Sequence, residues 1–96
     1  MNSVVATDEF EEWFDDLADD KAKEAIAARI VRLEGGLLGD CKPLARGVSE
    51  MRVHYGPGYR IYFTIRRRTI FILLCGGTKG DQRRDLKRAI GMAAQV

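Results

Sequence analysis

Tyr55-Gly-Pro-Gly-Tyr-Arg-Ile-Tyr-Phe63, followed thirteen residues later by Gly76-Gly-Thr-Lys-Gly-Asp-Gln82, decides the fold of this chain. Gly-Pro-Gly supplies a tight turn, and the residues on either side of it alternate. Met51, Val53 and Tyr55 alternate with Glu50, Arg52 and His54, while Ile61, Phe63 and Ile65 alternate with Arg60, Tyr62 and Thr64. Period-two alternation predicts strands with one apolar face. With Gly56-Pro57-Gly58 as the loop, His54 falls opposite Arg60, Arg52 opposite Tyr62, Glu50 opposite Thr64 and Val53 opposite Ile61. A two-residue loop would set His54 against Ile61 and mix the faces, which a half-buried sheet forbids. The expected patch is therefore Arg52, His54, Arg60 and Tyr62 on one face, with Met51, Val53, Ile61 and Phe63 on the other.

Working outward, Thr69 to Cys75 is apolar on both faces, as a central strand would be. Strands are expected near 48–55, 59–66 and 69–76, with Arg66-Arg67-Arg68 in the turn between the last two. Leu86, Ala89, Ile90 and Ala93 mark a helix near 81–94 ringed by Arg83, Arg84, Lys87 and Arg88. Upstream, Gly39 to Gly47 reads as a loop carrying Lys42 and Arg46. Phe10, Trp13, Phe14 and Leu17 lie at helical spacing behind a Thr7 or Asp8 cap, and the stripe is read as core. Ala22, Ala25, Ile26, Arg29, Ile30 and Leu33 continue the period until Gly35-Gly36 stops it. The two helices, joined by about two residues, form an αα-hairpin. Val4-Val5-Ala6 reads as a short N-terminal strand.

Ninety-six residues make a single domain, 1–96, which buries about 60–65 % of its unfolded surface. No apolar run reaches ~18 residues, so no membrane span is expected. The N-terminus lacks the charged and apolar regions of a signal peptide, which predicts a cytoplasmic protein. The net charge of +2 conceals an asymmetry: residues 1–40 hold 11 acids and 4 bases, residues 41–96 hold 3 acids and 12 bases. A basic half attracts polyanions, because neutralised phosphates release counterions. Cys41 and Cys75 are lone cysteines, and one histidine cannot complete a zinc site. Neither a metal nor a cofactor is expected.

Taken together and in order, several segments resemble the RelE/ParE superfamily of type II toxin–antitoxin toxins, in particular the HigB-like addiction module killer group. They are the Phe-x-x-Trp helix, Arg29-Ile-x-Arg-Leu33, Gly39-Asp-x-Lys42, Val48-Ser-Glu-Met-Arg52, Gly56-Pro-Gly-Tyr-Arg-Ile-Tyr-Phe63 and Leu73-Leu-x-Gly-Gly-x-Lys79-x-x-Gln82. The resemblance covers nearly the whole chain. It implies an α+β, RelE-like fold: an N-terminal αα-hairpin packed on a small antiparallel β-sheet, with a C-terminal helix. It also implies a ribosome-dependent mRNA endoribonuclease that uses no metal and is neutralised by a cognate antitoxin, expected to be a helix-turn-helix protein. Its partners would be the ribosome and mRNA, with operator DNA reached only through the antitoxin complex and no membrane involved.

Such enzymes activate a ribose 2′-OH, stabilise the crowded phosphate and protonate the leaving 5′-oxygen. Arginine suits the phosphate step, since its charged fork binds two oxygens at once. By motif, Arg60 and Lys79 match the active-site cations and Arg52 follows, while His54 is the natural proton shuttle. RNA contacts are assigned to Lys42, Arg46, Tyr62, Gln82, Arg83 and Arg84. The chain departs from the pattern at its end, where Gly91-Met-Ala-Ala-Gln-Val96 offers none of the Tyr or His that many relatives use in proton transfer. Either His54 or Tyr62 substitutes, or electrostatics alone carries the rate. Two other readings keep part of this picture: a ParE-like poison that binds DNA gyrase, and a non-catalytic nucleic-acid-binding module.

Overall fold

The computed structural model describes residues 2–96. In chain order the elements are β1 (Ser3–Ala6), α1 (Asp8–Asp15), α2 (Asp20–Glu34), β2 (Cys41–Ala45), β3 (Val48–Val53), β4 (Tyr59–Arg66), β5 (Ile70–Thr78) and α3 (Gln82–Ala93). A 3₁₀ turn, Lys79–Asp81, joins β5 to α3. The five strands form one sheet in the order β1-β5-β4-β3-β2. β2 to β5 run antiparallel, whereas β1 pairs with β5 in parallel.

That parallel strand overturns the expected antiparallel sheet. The sheet is mixed and has five strands, and helices from the two ends of the chain lie on its opposite faces. The cause lies in the first residues. Ser3 N–H donates to Thr69 O at 2.8 Å and Thr7 N–H to Leu73 O at 3.0 Å, so β1 extends the sheet past β5. The expected hairpin of α1 and α2 is also looser than thought, since residues 16–19 separate the helices. Asp19 caps α2 by accepting from Lys21 N–H and Ala22 N–H.

Alternation along the strands gives each face its own core. Phe10, Ile26 and Leu33 of α1 and α2 pack on Met51, Val53, Tyr59, Ile61, Phe63, Phe71 and Leu73. On the other face, Ala89 and Ala93 of α3 pack on Val48, Tyr62, Leu74 and Cys75. A bulge makes the second core possible: Tyr62 pairs with Cys75 but Phe63 with Leu73, leaving Leu74 as the extra residue. Cys75 is fully buried there, and burial pushes its thiol up to about 11.

At the other edge, Cys41–Ala45 is a strand where a loop was expected. Its Pro43 sits on the free edge of the sheet, where a missing N–H costs least. The β3–β4 register differs from the expected one by two residues: Arg52 faces Arg60, Glu50 faces Tyr62 and Val53 faces Tyr59. The loop is His54–Gly58 rather than three residues, closed by Gly58 N–H on Tyr55 O at 3.0 Å. A shift of two preserves parity, so Arg52, Arg60 and Tyr62 still share a face. His54 leaves the ladder and joins the loop.

Candidate active site

One end of the sheet collects the charged side chains. There the end of β3, the 54–58 loop, the start of β4 and the end of β5 meet, tied by Lys79 N–H donating to Gly58 O at 2.8 Å. Asp40, just before β2, is fixed to the same end by Arg52 N–H donating to its carbonyl at 2.9 Å.

Asp40 is the hub of the exposed layer. Its Oδ1 accepts from Arg52 Nε at 3.1 Å and Nη2 at 2.8 Å, and its Oδ2 lies 2.5 Å from His54 Nε2. The hydrogen bonds from His54 and then Arg52 hold the Asp40 carboxyl below the usual carboxylate range. With Nε2 committed to Asp40, the His54 ring, 73 % exposed, keeps Nδ1 for proton exchange. A carboxylate that fixes an imidazole in this way is a recurring device of acid–base sites.

Beneath it lies a buried layer built on Glu50, which is 1 % exposed. Its Oε1 accepts from Arg60 Nη1 at 2.6 Å, its Oε2 accepts from Gln82 Nε2 at 2.7 Å, and Arg52 Nε stands 4.0 Å away. A buried carboxylate requires such partners. The consequence for Arg60 is a correction: it is 12 % exposed and charge-paired, not a free clamp on an open strand.

Tyr62 is corrected more sharply. It is fully buried in the α3-side core, and its hydroxyl meets no hydrogen-bond partner among the described residues. Burial first, then the Glu50 and Asp85 carboxylates, drives its ionisation far above the ordinary phenol range. It is neither a stacking surface for bases nor a substitute proton donor. Lys79 is exposed and, among the described residues, has no ionic partner. Arg83 is likewise exposed at the start of α3, and Lys42 stands opposite Glu50 on β2. Gln82 spends its amide on Glu50, and Arg84 leans on Asp81 and Asp85 at 3.3 and 3.5 Å. Arg46 lies in the β2–β3 turn at the opposite end of the sheet and does not join this group.

Asp40, Glu50 and Asp85 are the residues that sequence reasoning passed over. Glu50 carried a signal: it is the lone acid between Cys41 and Gly80. Among the described residues there is no group of three or more side chains that could hold a metal ion. Nor is any helix among them long and apolar enough to cross a membrane.

The class is thus a small domain with helices on both faces of a mixed sheet and an acid-buttressed cationic site at one sheet end. No family model matches the chain. An uncharacterized protein of Haemophilus influenzae (strain ATCC 51907 / DSM 11121 / KW20 / Rd) is 39 % identical over 93 residues, covering 97 % of this chain and 94 % of the relative. The chain belongs to the family of that protein.

Proposed function

We propose that this protein is the toxin of a type II toxin–antitoxin module, of RelE/ParE type, acting in the cytoplasm as a metal-independent endoribonuclease on ribosome-bound mRNA. A cognate partner protein holds it inactive. The observation that carries the reading is convergence. The segments Val48–Arg52, Gly56–Phe63 and Leu73–Gln82, apart in sequence, bring Arg52, Arg60 and Lys79 to one sheet end, and the Asp40–His54 pair, outside those segments, lies beside Arg52.

In the proposed reaction the 2′-oxygen attacks phosphorus and the bond to the 5′-oxygen breaks. His54 Nδ1 takes the proton of the 2′-OH while Asp40 holds the ring. Arg52, with Arg60 behind it, complements the charge growing on the phosphate oxygens. The Lys79 ammonium gives its proton to the leaving 5′-oxygen. Glu50 keeps the Arg60 guanidinium in place.

The test is a translation extract with primer-extension mapping of mRNA ends. The wild type should cut mRNA, and His54→Ala should cut it at least about tenfold more slowly while still binding ribosomes. Growth arrest with intact mRNA and inhibited DNA supercoiling would replace this reading with gyrase binding.

A further inference from the structure

The sheet has two free edges, β1 and β2, and the sequence treats them differently. The β2 edge carries Lys42, Pro43 and a bulge between Pro43 and Ala45, each a device that keeps a further strand from pairing there. The β1 edge is Ser3-Val-Val-Ala6, with no charge and no proline, and its ladder to β5 is regular. Ser3, Val5 and Ala6 are exposed, Val5 by 50 %.

Pairing with β5 decides which backbone groups stay open. Ser3 N–H and Thr7 N–H donate to Thr69 O and Leu73 O, so the odd-numbered residues of β1 turn their N–H and C=O groups inward. The even-numbered residues turn theirs outward. Asn2 N–H is taken up there by Glu34 O at 3.1 Å, whereas Val4 and Ala6 meet no backbone partner on that side among the described residues.

We infer that β1 pairs with β1 of a second copy of this chain, antiparallel about a two-fold axis at Val5, joining the two five-stranded sheets into one. In that register Val4 faces the partner's Ala6 and Ala6 faces the partner's Val4, so each pair exchanges both of its hydrogen bonds. Val5, whose polar groups point inward, meets the partner's Val5 as the close pair without hydrogen bonds. Both valines lie on the α3 face, because Val4 packs into the core on the other side. Lack of charge selects the occupant. A two-fold contact sets a patch against itself, so any charge on it would face its like. In a chain with 16 basic and 14 acidic residues, an open strand without one suits its own copy better than a charged partner. So small a contact falls below the ~1,200 Å² of standard interfaces, and the dimer is a weak one that forms at high concentration. Since β1 runs parallel to β5, the antiparallel copy places the two proposed active sites at opposite ends of the joined sheet.

The experiment is sedimentation equilibrium of the full chain from about 5 μM to about 1 mM. The average mass should rise from that of the monomer toward twice it. Ala6→Pro removes an N–H that points away from β5, a loss that a sheet edge tolerates. Its melting temperature should hold while dimerisation weakens at least about tenfold. Val5→Lys sets two ammonium groups against each other on the axis and should weaken the dimer as much, most strongly at low salt. Val31→Lys, at an exposed apolar position on α2, should dimerise as the wild type does. A monomer at every concentration, a dimer of wild-type strength in either β1 variant, or loss of the dimer in Val31→Lys would each overturn the proposal. Absence of mRNA cleavage with the dimer intact would instead strike the nuclease reading alone.

Discussion

Truncating Arg60 leaves the Glu50 carboxylate, 1 % exposed, with Gln82 as its one hydrogen-bond partner among the described residues and Arg52 Nε 4.0 Å away. Breaking a buried pair by removing one member typically costs about 3–5 kcal/mol, because the other charge stays behind. Arg60→Ala should therefore lower the urea midpoint as well as slow cleavage by ~10²–10³. Adding Glu50→Gln should restore much of the stability and none of the activity. A single variant with native stability would show that the pair is not a structural unit. Asp40 makes a second residue-scale prediction. Its native pKa lies below the unfolded value, so its contribution to stability is complete above about pH 4 and is lost as pH falls through the native value. Urea midpoints of wild type and Asp40→Asn should differ at neutral pH and converge in acid. A difference that persists unchanged at low pH would show that the carboxylate's charge is not what matters. These roles were only half legible in the sequence. Parity assigns Arg52, Arg60 and Tyr62 to one face, but it says nothing of which part of that face α3 covers. Tyr62 lies under α3, and Arg60 lies at its margin beside Gln82.

At the scale of elements, α1 is held to the sheet by a contact that only glycine allows. A Cβ built on Gly76 would lie 2.4 Å from the Trp13 ring, with no flexible tip to give way. Trp13 also meets Tyr59 edge-on and Phe10 at 5.7 Å between centroids, so the ring cannot slide without disturbing the aromatic core. Gly76→Ala should cost about 1–3 kcal/mol as an overpacked contact, read as a lower midpoint in urea with the tryptophan fluorescence of the native state altered. Native fluorescence and stability together would mean that α1 is free to shift. The helices and the β3–β5 meander were visible as changes of period, because each pairs apolar spacing with a turn or cap. β2 was not visible, since Cys41-Lys-Pro-Leu-Ala45 does not alternate and contains a proline. The parallel pairing of β1 was hidden for another reason: a run as short as Val4-Val5-Ala6 specifies a strand but no neighbour. The two-residue register shift came from the loop, where Gly56 and Gly58 both adopt positive φ and His54 and Tyr55 leave the ladder.

For the whole molecule, the balance of −7 in residues 1–40 and +9 in residues 41–96 becomes a division in space. The acid-rich helices α1 and α2 cover one face, while the sheet ends and α3 present the bases. Yet the nine net charges do not act as one surface. Arg52, Arg60, Arg84 and Arg88 are paired with Asp40, Glu50, Asp81 and Glu9, and Arg46, Arg66, Arg67 and Arg68 belong to the far end. Among the described residues, the cations without an ionic partner near the proposed active site are Lys42, Lys79 and Arg83. A single strand of RNA bound there neutralises about three phosphates, which gives a slope of log affinity against log salt of about −2. Engagement of the entire basic half would give about −6. Titrating labelled oligouridylate at several salt concentrations separates the two, and the shallow slope is expected. Lys79→Ala should reduce it by a further ~0.7, with affinity falling alike for every sequence tested, because a lysine on a phosphate carries no base information. A slope near the steep limit would mean that both ends of the sheet grip one polyanion, and that the candidate active site is not where the RNA contacts are concentrated.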